Sequence, residues 1–501
     1  MPTQLSAPGV YVEELPSGVR TIVGVPTSVT AFVGRTRRGV ADADARPVAI
    51  SSWGDFVRNC GDLWAQSELP TAVQQYFLAG GSQALIVRVT HAADTTTATF
   101  VLGGGLVLEA TSPGSWPNEL VVRVEHPNAD LGAAVDPSTF HLSIGTGTGD
   151  DFVATEVHRL VSVDPGSARN VQRVLRAQSS LLRATTDTAP RPGEADVTPT
   201  TDGSDGSPPT DGEMEAAFER LRLADVVNLI CVPPYDAAGS DPATAVYDSA
   251  RVVAEELRAM LLVDPPAAWN SVATAAAMTG LTGLQSSNVV MTYPAVHASD
   301  PVRDGLERTF APSAFLAGVI SSNDAKRGVW FSPAGLEAPL RGVTGFDRGL
   351  TEAEIGQLNQ RGVNALVMRG LAGPVVWGAR TAVGADTRAS DWKYIGVRRL
   401  ALYIEESLRR GLQWAVFEPN DAPLHAQIRA AVGGFMQQLF RAGAFAGSQV
   451  RDAYDVKCDA ETTTAEDAAR GIVNIIVRFA PLKPAEFVVL TFQQMAGQAG
   501  S

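Results

Sequence analysis

The chain has 501 residues, of which 45% are hydrophobic and only 19% charged, with a mean hydropathy of +0.03. That length predicts about two to four domains. The formal net charge of −14 argues against nucleic acid as the main partner, because phosphate binding draws on a basic excess. The charged fraction lies below the roughly 25% of ordinary soluble domains, which points either to a small surface per residue or to a surface partly covered by neighbours.

Residues 1–26 read as an extended arm. Pro2, Pro8, Pro16 and Pro26, with Gly9, Gly18 and Gly24, oppose a helix, and Val10, Tyr11 and Val12 form a short strand-like run. The stretch carries neither a basic n-region nor an apolar h-region, so no secretory signal is expected. From Ser28 the texture is α/β. Val29, Ala31 and Val33 alternate, a helix begins near 51–56, and 69–78 is an amphipathic helix that Gly80-Gly81 can cap. Residues 84–89 form a buried strand.

After His91 short strands are expected at 95–100, 105–110, 119–125 and 140–144, a β-rich insertion over 93–212. Its last part, 185–212, is rich in Thr, Pro, Gly and Asp. Such composition cannot bury enough apolar area to offset ordering, so a mobile surface loop is expected. The α/β texture returns at Glu213. A strand is expected at 224–232, a helix at 245–262 and strands at 288–292 and 364–368. Between the last two, Thr351 and Glu354 are spaced as a capping box, with Leu350 and Ile355 as its hydrophobic staple.

The final unit, 386–501, begins with a helix over 391–410, where Glu405–Arg409 and Glu406–Arg410 are spaced for ion pairs. A strand is expected at 414–417. Asn420 or Asp421 can cap a helix with Pro423 in its first turn and with Leu424, Ile428, Val432, Phe435 and Leu439 on one face. Strands are expected at 454–458, 472–479 and 487–492. The whole reads as an α/β and α+β multidomain chain: an arm (1–26), an α/β middle domain (27–92 with 213–385), the β-rich insertion and the C-terminal domain.

Chemistry-bearing motifs are absent. There is no phosphate loop of the GxxxxGK[ST] type, and Gly145 to Gly149 and Gly103 to Gly105 read as turns. His91, His126, His141, His158, His297 and His425 never pair at metal-ligand spacing, and no GxSxG elbow occurs. Cys60, Cys231 and Cys458 are isolated, which fits a reducing cytoplasm rather than a disulfide framework. No apolar run approaches the ~18 residues of a membrane span. Trp53, Trp64, Trp330, Trp377, Trp392 and Trp414 lack basic interleaving and read as core or interface anchors. No catalytic residue, cofactor site or metal site is assigned.

Several strings carry a resemblance. They are Val376-Trp377-Gly378-Ala379-Arg380-Thr381, Trp392-Lys393-Tyr394-Ile395-Gly396-Val397-Arg398-Arg399-Leu400, Val416-Phe417-Glu418-Pro419-Asn420-Asp421 and Ala480-Pro481-Leu482-Lys483-Pro484-Ala485-Glu486-Phe487. Nearer the start stand Ala7-Pro8-Gly9-Val10-Tyr11-Val12-Glu13-Glu14 and Ser112-Pro113-Gly114-Ser115-Trp116-Pro117-Asn118-Glu119-Leu120. In this order the chain resembles the sheath proteins of contractile phage tails, R-type pyocins and related contractile injection systems. Leu424-His425 stand where the family often has an aromatic residue, and 185–212 looks like an idiosyncratic insertion.

The resemblance implies a structural subunit, not an enzyme. Its partners would be copies of itself in stacked hexameric rings, an inner tube, and baseplate and tail-terminator or cap proteins, with no nucleic acid and no membrane insertion. The particle would assemble in the bacterial cytoplasm and then be released or stay intracellular. Val10, Tyr11, Val12 and Glu13 from the arm, with Phe487, Val489, Thr491 and Gln493 from the last strand, would exchange between subunits. The helix 424–441 would face the tube, with His425, Arg429 and Arg441 as contact candidates. The tube-facing unit is expected to be less acidic than the rest. Competing readings are another ring-forming tail, baseplate or terminator protein, and an α/β hydrolase, for which no nucleophile motif exists.

Overall fold

The computed structural model describes residues 20–42, 44–127, 137–186, 190–236 and 240–487. The chain forms two compact units, one of residues 26–398 and one of 1–25 with 399–501.

The larger unit is built on an eight-stranded sheet. Its spatial order is Gly373–Val376, Val363–Arg369, Val289–Tyr293, Met260–Val263, Leu229–Cys231, Thr30–Gly34, Ala84–Arg88 and Val48–Ile50. The six inner strands are parallel and the two edge strands antiparallel. The inner strands are continuous apolar runs such as Met-Leu-Leu-Val at 260–263, all buried, as a sheet covered on both faces requires. On one face Val33, Ile230, Leu261 and Met291 pack with Phe218, Tyr247 and Leu358.

The α/β elements follow the sequence signals closely. Helix Leu69–Ala79 stops at Gly80, which sits in the left-handed region at φ 115. Thr351 and Glu354 form the expected capping box on helix Glu352–Arg361. The helix expected over 245–262 splits instead. Thr244–Glu256 is helical, Arg258 turns at φ 56, and Met260–Val263 is a strand. Helix periodicity and a short apolar strand run together there, and length alone cannot separate them. The strand expected at 224–232 is confined to Leu229–Cys231.

Inserted after the strand Ala84–Arg88 are two small sheets. One orders Ala195–Val197, Leu120–Glu125, Thr139–Thr146 and Val153–Ser162; the other orders Thr99–Val101, Val107–Ala110 and Leu182–Ala184. They share a core that includes Phe100, Leu108, Phe140, Leu142, Ile144 and Leu182. The glycine-rich run at 145–149 lies in the hairpin between two of these strands, as expected.

The stretch 185–212 departs from expectation. Residues 187–189 lie outside the described set, but the remainder is tied into the insertion rather than loose. Ala195–Val197 pairs with Val122 to Val124, Ser204 bridges Thr96, and Thr201 bridges Thr99. The Asn118 side chain exchanges two hydrogen bonds with the Gly203 backbone, at 2.8 and 3.0 Å. Backbone pairing supplies the order that the side chains could not supply by burial.

The connection to the sheet also explains what fills its crevice. In open α/β sheets ligands usually sit beyond the carboxyl ends of the strands, where strand order reverses. Here that point lies between Thr30–Gly34 and Leu229–Cys231. Arg35, the next residue, donates to the carbonyls of Asp205 (2.9 Å) and Gly206 on the returning segment of the insertion. Its guanidinium also lies over the Trp64 ring at 4.7 Å.

Candidate assembly surfaces

The smaller unit carries the residues expected to meet other molecules. Residues 20–25 run along helix Ile395–Gly411 within it. Ile22 is buried, the Val25 amide donates to Ser407 Oγ at 3.2 Å, and Arg20 lies over the Trp414 ring at 4.4 Å. Gly24 is required there: a Cβ would lie 1.9 Å from the Tyr403 hydroxyl. The arm residues Val10, Tyr11, Val12 and Glu13 lie outside the described residues, as do Val489, Thr491 and Gln493.

Helix Ala422–Arg441 starts at Asp421, whose carboxylate accepts from the Leu424 amide at 2.9 Å. Asn420 instead reaches the Ile472 carbonyl at 3.1 Å. Leu424, Ile428, Val432, Phe435 and Leu439 are buried together, as the spacing predicts. The opposite face is small and polar: Ala426, Gln427, Ala430, Gly434, Gln438 and Arg441 are exposed. Of the three cationic candidates, His425 Nε2 lies 2.8 Å from Asn420 Oδ1, and Arg429 donates to the Cys458 carbonyl. Arg441 alone of the three is fully on the surface. The helix holds no acidic residue. Residues 386–501 hold thirteen acidic and thirteen basic residues, so the whole −14 balance falls in the preceding 385.

The strands Tyr454–Lys457 and Ile476–Phe479 form an antiparallel pair, Tyr454 opposite Phe479 and Lys457 opposite Ile476, with Asp455 and Arg478 paired across it at 3.0 Å. No residue of either strand is buried. Among the described residues this sheet has two strands. An isolated two-stranded ladder is marginal in water, and its open edges expose unpaired amides and carbonyls. Phe487, further along, is exposed and outside any strand.

Sequence reasoning missed one surface feature. The expected strand at 414–417 is a turn of 3-10 helix, Gln413–Ala415, followed by Val416 and Phe417. Phe417 stands fully exposed with φ +70, a backbone region that bulky residues rarely enter. A run of Trp, Ala, Val and Phe scores as strand by composition. Only the pattern of solvent exposure distinguishes a knob from a strand.

The recurring strings serve the fold. Arg380 is wholly buried and donates to the carbonyl of Asn359 at 2.8 Å and to Asp386 at 2.9 Å. Asn364 ties its amide nitrogen to the carbonyls of Met291 and Arg380. Thr381 Oγ1 donates to the Trp392 carbonyl at 2.7 Å. Cys60, Cys231 and Cys458 are free and buried. Among the described residues no group of His, Cys, Asp and Glu could hold a metal ion, and no helix is long and apolar enough to cross a membrane.

Two family models match consecutive parts of the chain. Residues 209–382 match the phage tail sheath protein central domain and 387–495 match the phage tail sheath C-terminal domain. The chain belongs to the phage tail sheath family. A prophage major tail sheath protein of Pseudomonas aeruginosa is 26% identical over 290 residues, 55% of this chain and 69% of that one. The tail sheath protein of Vibrio phage KVP40 is 26% identical over 180 residues, 35% of this chain and 25% of that one. Among solved structures, the contracted helical sheath of the anti-feeding prophage covers 98% of this chain and 99% of its own, at 22% identity and a TM-score of 0.60. The sheath tail protein of Listeria innocua covers 92% and 96%, at 14% identity and a TM-score of 0.64. The sheath family is structural rather than enzymatic, and this chain is a structural subunit of a contractile sheath. The mixed α/β multidomain fold expected from the sequence is the fold these structures share.

Proposed function

We propose that this subunit polymerises as stacked hexameric rings around an inner tube, and that the sheath shortens to drive the tube through a target envelope. The unfinished sheet in the smaller unit carries the reading. Among the described residues Tyr454–Lys457 and Ile476–Phe479 have no buried residue and no third strand beside them, and a strand from a neighbour would cover their edges. The candidate strands are the arm, at Val10, Tyr11, Val12 and Glu13, and the closing segment, at Phe487, Val489, Thr491 and Gln493. Contraction reorients whole subunits without separating them. Exchanged strands suit that task, because backbone hydrogen bonds fix register while the linking chain bends.

Under this reading the domains are the arm at 1–26, the α/β middle domain at 27–92 and 213–385, the insertion at 93–212, and the C-terminal domain at 386–501, which faces the tube. The charge balance supports that orientation. A neutral unit with an acid-free helix bearing Arg429 and Arg441 can approach an acidic tube, while the excess acid lies elsewhere. Baseplate and terminator or cap proteins would hold the ends. The particle would assemble in the bacterial cytoplasm, and the free energy of contraction would be stored at assembly, with no nucleotide hydrolysed.

Deleting residues 2–20 tests the reading. The expected product is a folded subunit that forms no tubes by negative-stain electron microscopy, where the full chain forms hollow tubes. Normal sheaths from the deleted chain would refute strand exchange. Discrete rings from the full chain would favour a terminator or baseplate role.

A further inference from the structure

The larger unit has a cleft of about 630 Å³ beyond the carboxyl ends of the strands Leu229–Cys231, Met260–Val263 and Val289–Tyr293. Its walls are unlike a packing defect. Four carboxyl groups face it, from Glu68, Asp241, Asp264 and Asp347, against two guanidiniums, from Arg308 and Arg348. Both cations have partners: Arg308 pairs with Glu68 and with Asp300 (2.8 Å), and Arg348 with Glu354 at 3.1 Å. Trp269 and Tyr293 form an aromatic corner, with ring centroids 6.4 Å apart and planes at 57°.

A second cavity of about 10 Å³, room for one water, shares Glu68, Pro234, Phe310 and Ala311 with the cleft. Gln75 lines this inner cavity. Its side chain is only 6% exposed and its Oε1 has no hydrogen-bond partner. A buried acceptor left unpaired costs about 1–3 kcal/mol. A water fits beside Gln75, while the carboxylates and aromatic faces of the cleft itself call for a cation rich in N–H donors.

We propose that this cleft binds a guanidinium or primary ammonium group carried on an alkyl chain. The Arg308 side chain shows the mode within the same walls, on a carboxylate and with its guanidinium carbon 4.2 Å from the Phe310 ring centre. Asp264 gives further support. Burial pushes its carboxyl up to about 7, against the pull of the Ser313 amide and hydroxyl. An arriving cation would stabilise its ionised form, so binding tightens as pH rises through about 7. Two sources share this chemistry: a free polyamine or arginine-like molecule, or a side chain of a second copy. The chain itself offers mostly guanidinium, since only Lys326, Lys393, Lys457 and Lys483 of its 40 basic residues are lysines.

The test is calorimetric titration of the full-length chain, before assembly, with N-acetyl-arginine amide and with spermidine at pH 6 and pH 8. Saturable binding is expected, severalfold tighter at pH 8. Asp241→Asn, a change at an exposed wall, should weaken it severalfold. Asp241→Asn and the pH dependence decide together. Absence of saturable binding at millimolar ligand, equal binding of an alkyl carboxylate, or affinity indifferent to both Asp241→Asn and pH would overturn the proposal. Repeating the titration on assembled sheaths separates the sources: loss of binding means a neighbour's side chain occupies the cleft, and retention means a free cation. The reading concerns the unassembled subunit and stands apart from strand exchange.

Discussion

His91 Nδ1 lies 3.0 Å from Glu213 Oε2, and this pair closes the neck of the insertion where the chain leaves and re-enters the α/β sheet. The same carboxylate accepts from the Ala92 amide at 2.8 Å and completes a capping box with Thr210 on helix Asp211–Phe218. Two turns out, Ser207 donates to Asp94 through both its amide and its hydroxyl. Five residues, His91, Ala92 and Asp94 with Ser207 and Glu213, thus clamp two chain segments more than a hundred positions apart in sequence.

The clamp predicts a pH window. The bond to Glu213 raises the His91 pKa above 6.5. A raised histidine contributes stability below its unfolded value, which is lost as pH rises through the folded one. Glu213 is opposite in sign. Burial pushes it up, but the Ala92 and Thr210 amides, His91 and the Thr210 hydroxyl outweigh this and hold it down to about 2. Its contribution is complete above 4.5 and fades as pH falls toward 2. Amide protection at 91–95 and 207–213, taken relative to the intrinsic exchange rate at each pH, should therefore be greatest between about 4.5 and 6.5. His91→Ala should remove the loss of protection on the alkaline side, and an equal loss of protection in that variant would sink the idea.

Much of the α/β layout was legible because it rests on local signals. Gly80, the Thr351–Glu354 box and the Leu424–Leu439 stripe each act within a few residues. What was hidden depends on distant backbone. The polar stretch near Ser204 is ordered by pairing with Thr96, a partner no composition measure reveals. Phe417 reads as strand and stands as a knob. On helix Ile395–Gly411, Glu406 forms the expected pair with Arg410 (2.6 Å) and also takes Arg409 (2.5 Å), which spacing alone did not suggest. The candidate assembly surfaces were legible chiefly through recurring strings, and the acidic cleft not at all, since its four carboxylates come from four separate segments.

Arg88 should be among the most costly positions to change. Its buried guanidinium donates to the carbonyls of Thr36 (3.1 Å), Gly39 (2.7 Å) and Pro113 (2.8 Å), joining the sheet to the insertion, and burial lowers its pKa to about 10. Arg88→Met leaves those carbonyls without a donor, a loss of about 3 kcal/mol or more. The expected result is low soluble yield and an earlier thermal transition. A variant with unchanged transition would show that water replaces the guanidinium.

Phe417→Gly separates subunit stability from assembly. A left-handed backbone costs an L residue about 1–2 kcal/mol, which glycine avoids, while glycine's freer unfolded chain returns about 0.5–1 kcal/mol. The urea midpoint of the unassembled subunit should therefore stay the same or rise slightly. Sheath yield should fall, because the exposed ring is the part lost. A clear drop in midpoint would mean that the ring packs within its own subunit.

Arg441→Glu is the cleaner probe of tube contact. Arg429 already serves the fold through the Cys458 carbonyl, so reversing it would cost about 1 kcal/mol of subunit stability and confuse the result. Arg441 is exposed, and its reversal should leave the subunit's unfolding midpoint unchanged. A surface charge contact is worth at most about 1 kcal/mol per subunit, yet many subunits grip one tube, and their contributions accumulate. Tube recovered with wild-type sheath should decline as salt rises, and tube recovered with the variant should be low at every salt concentration. Equal recovery from both at low salt would place the tube-binding charge elsewhere in the unit.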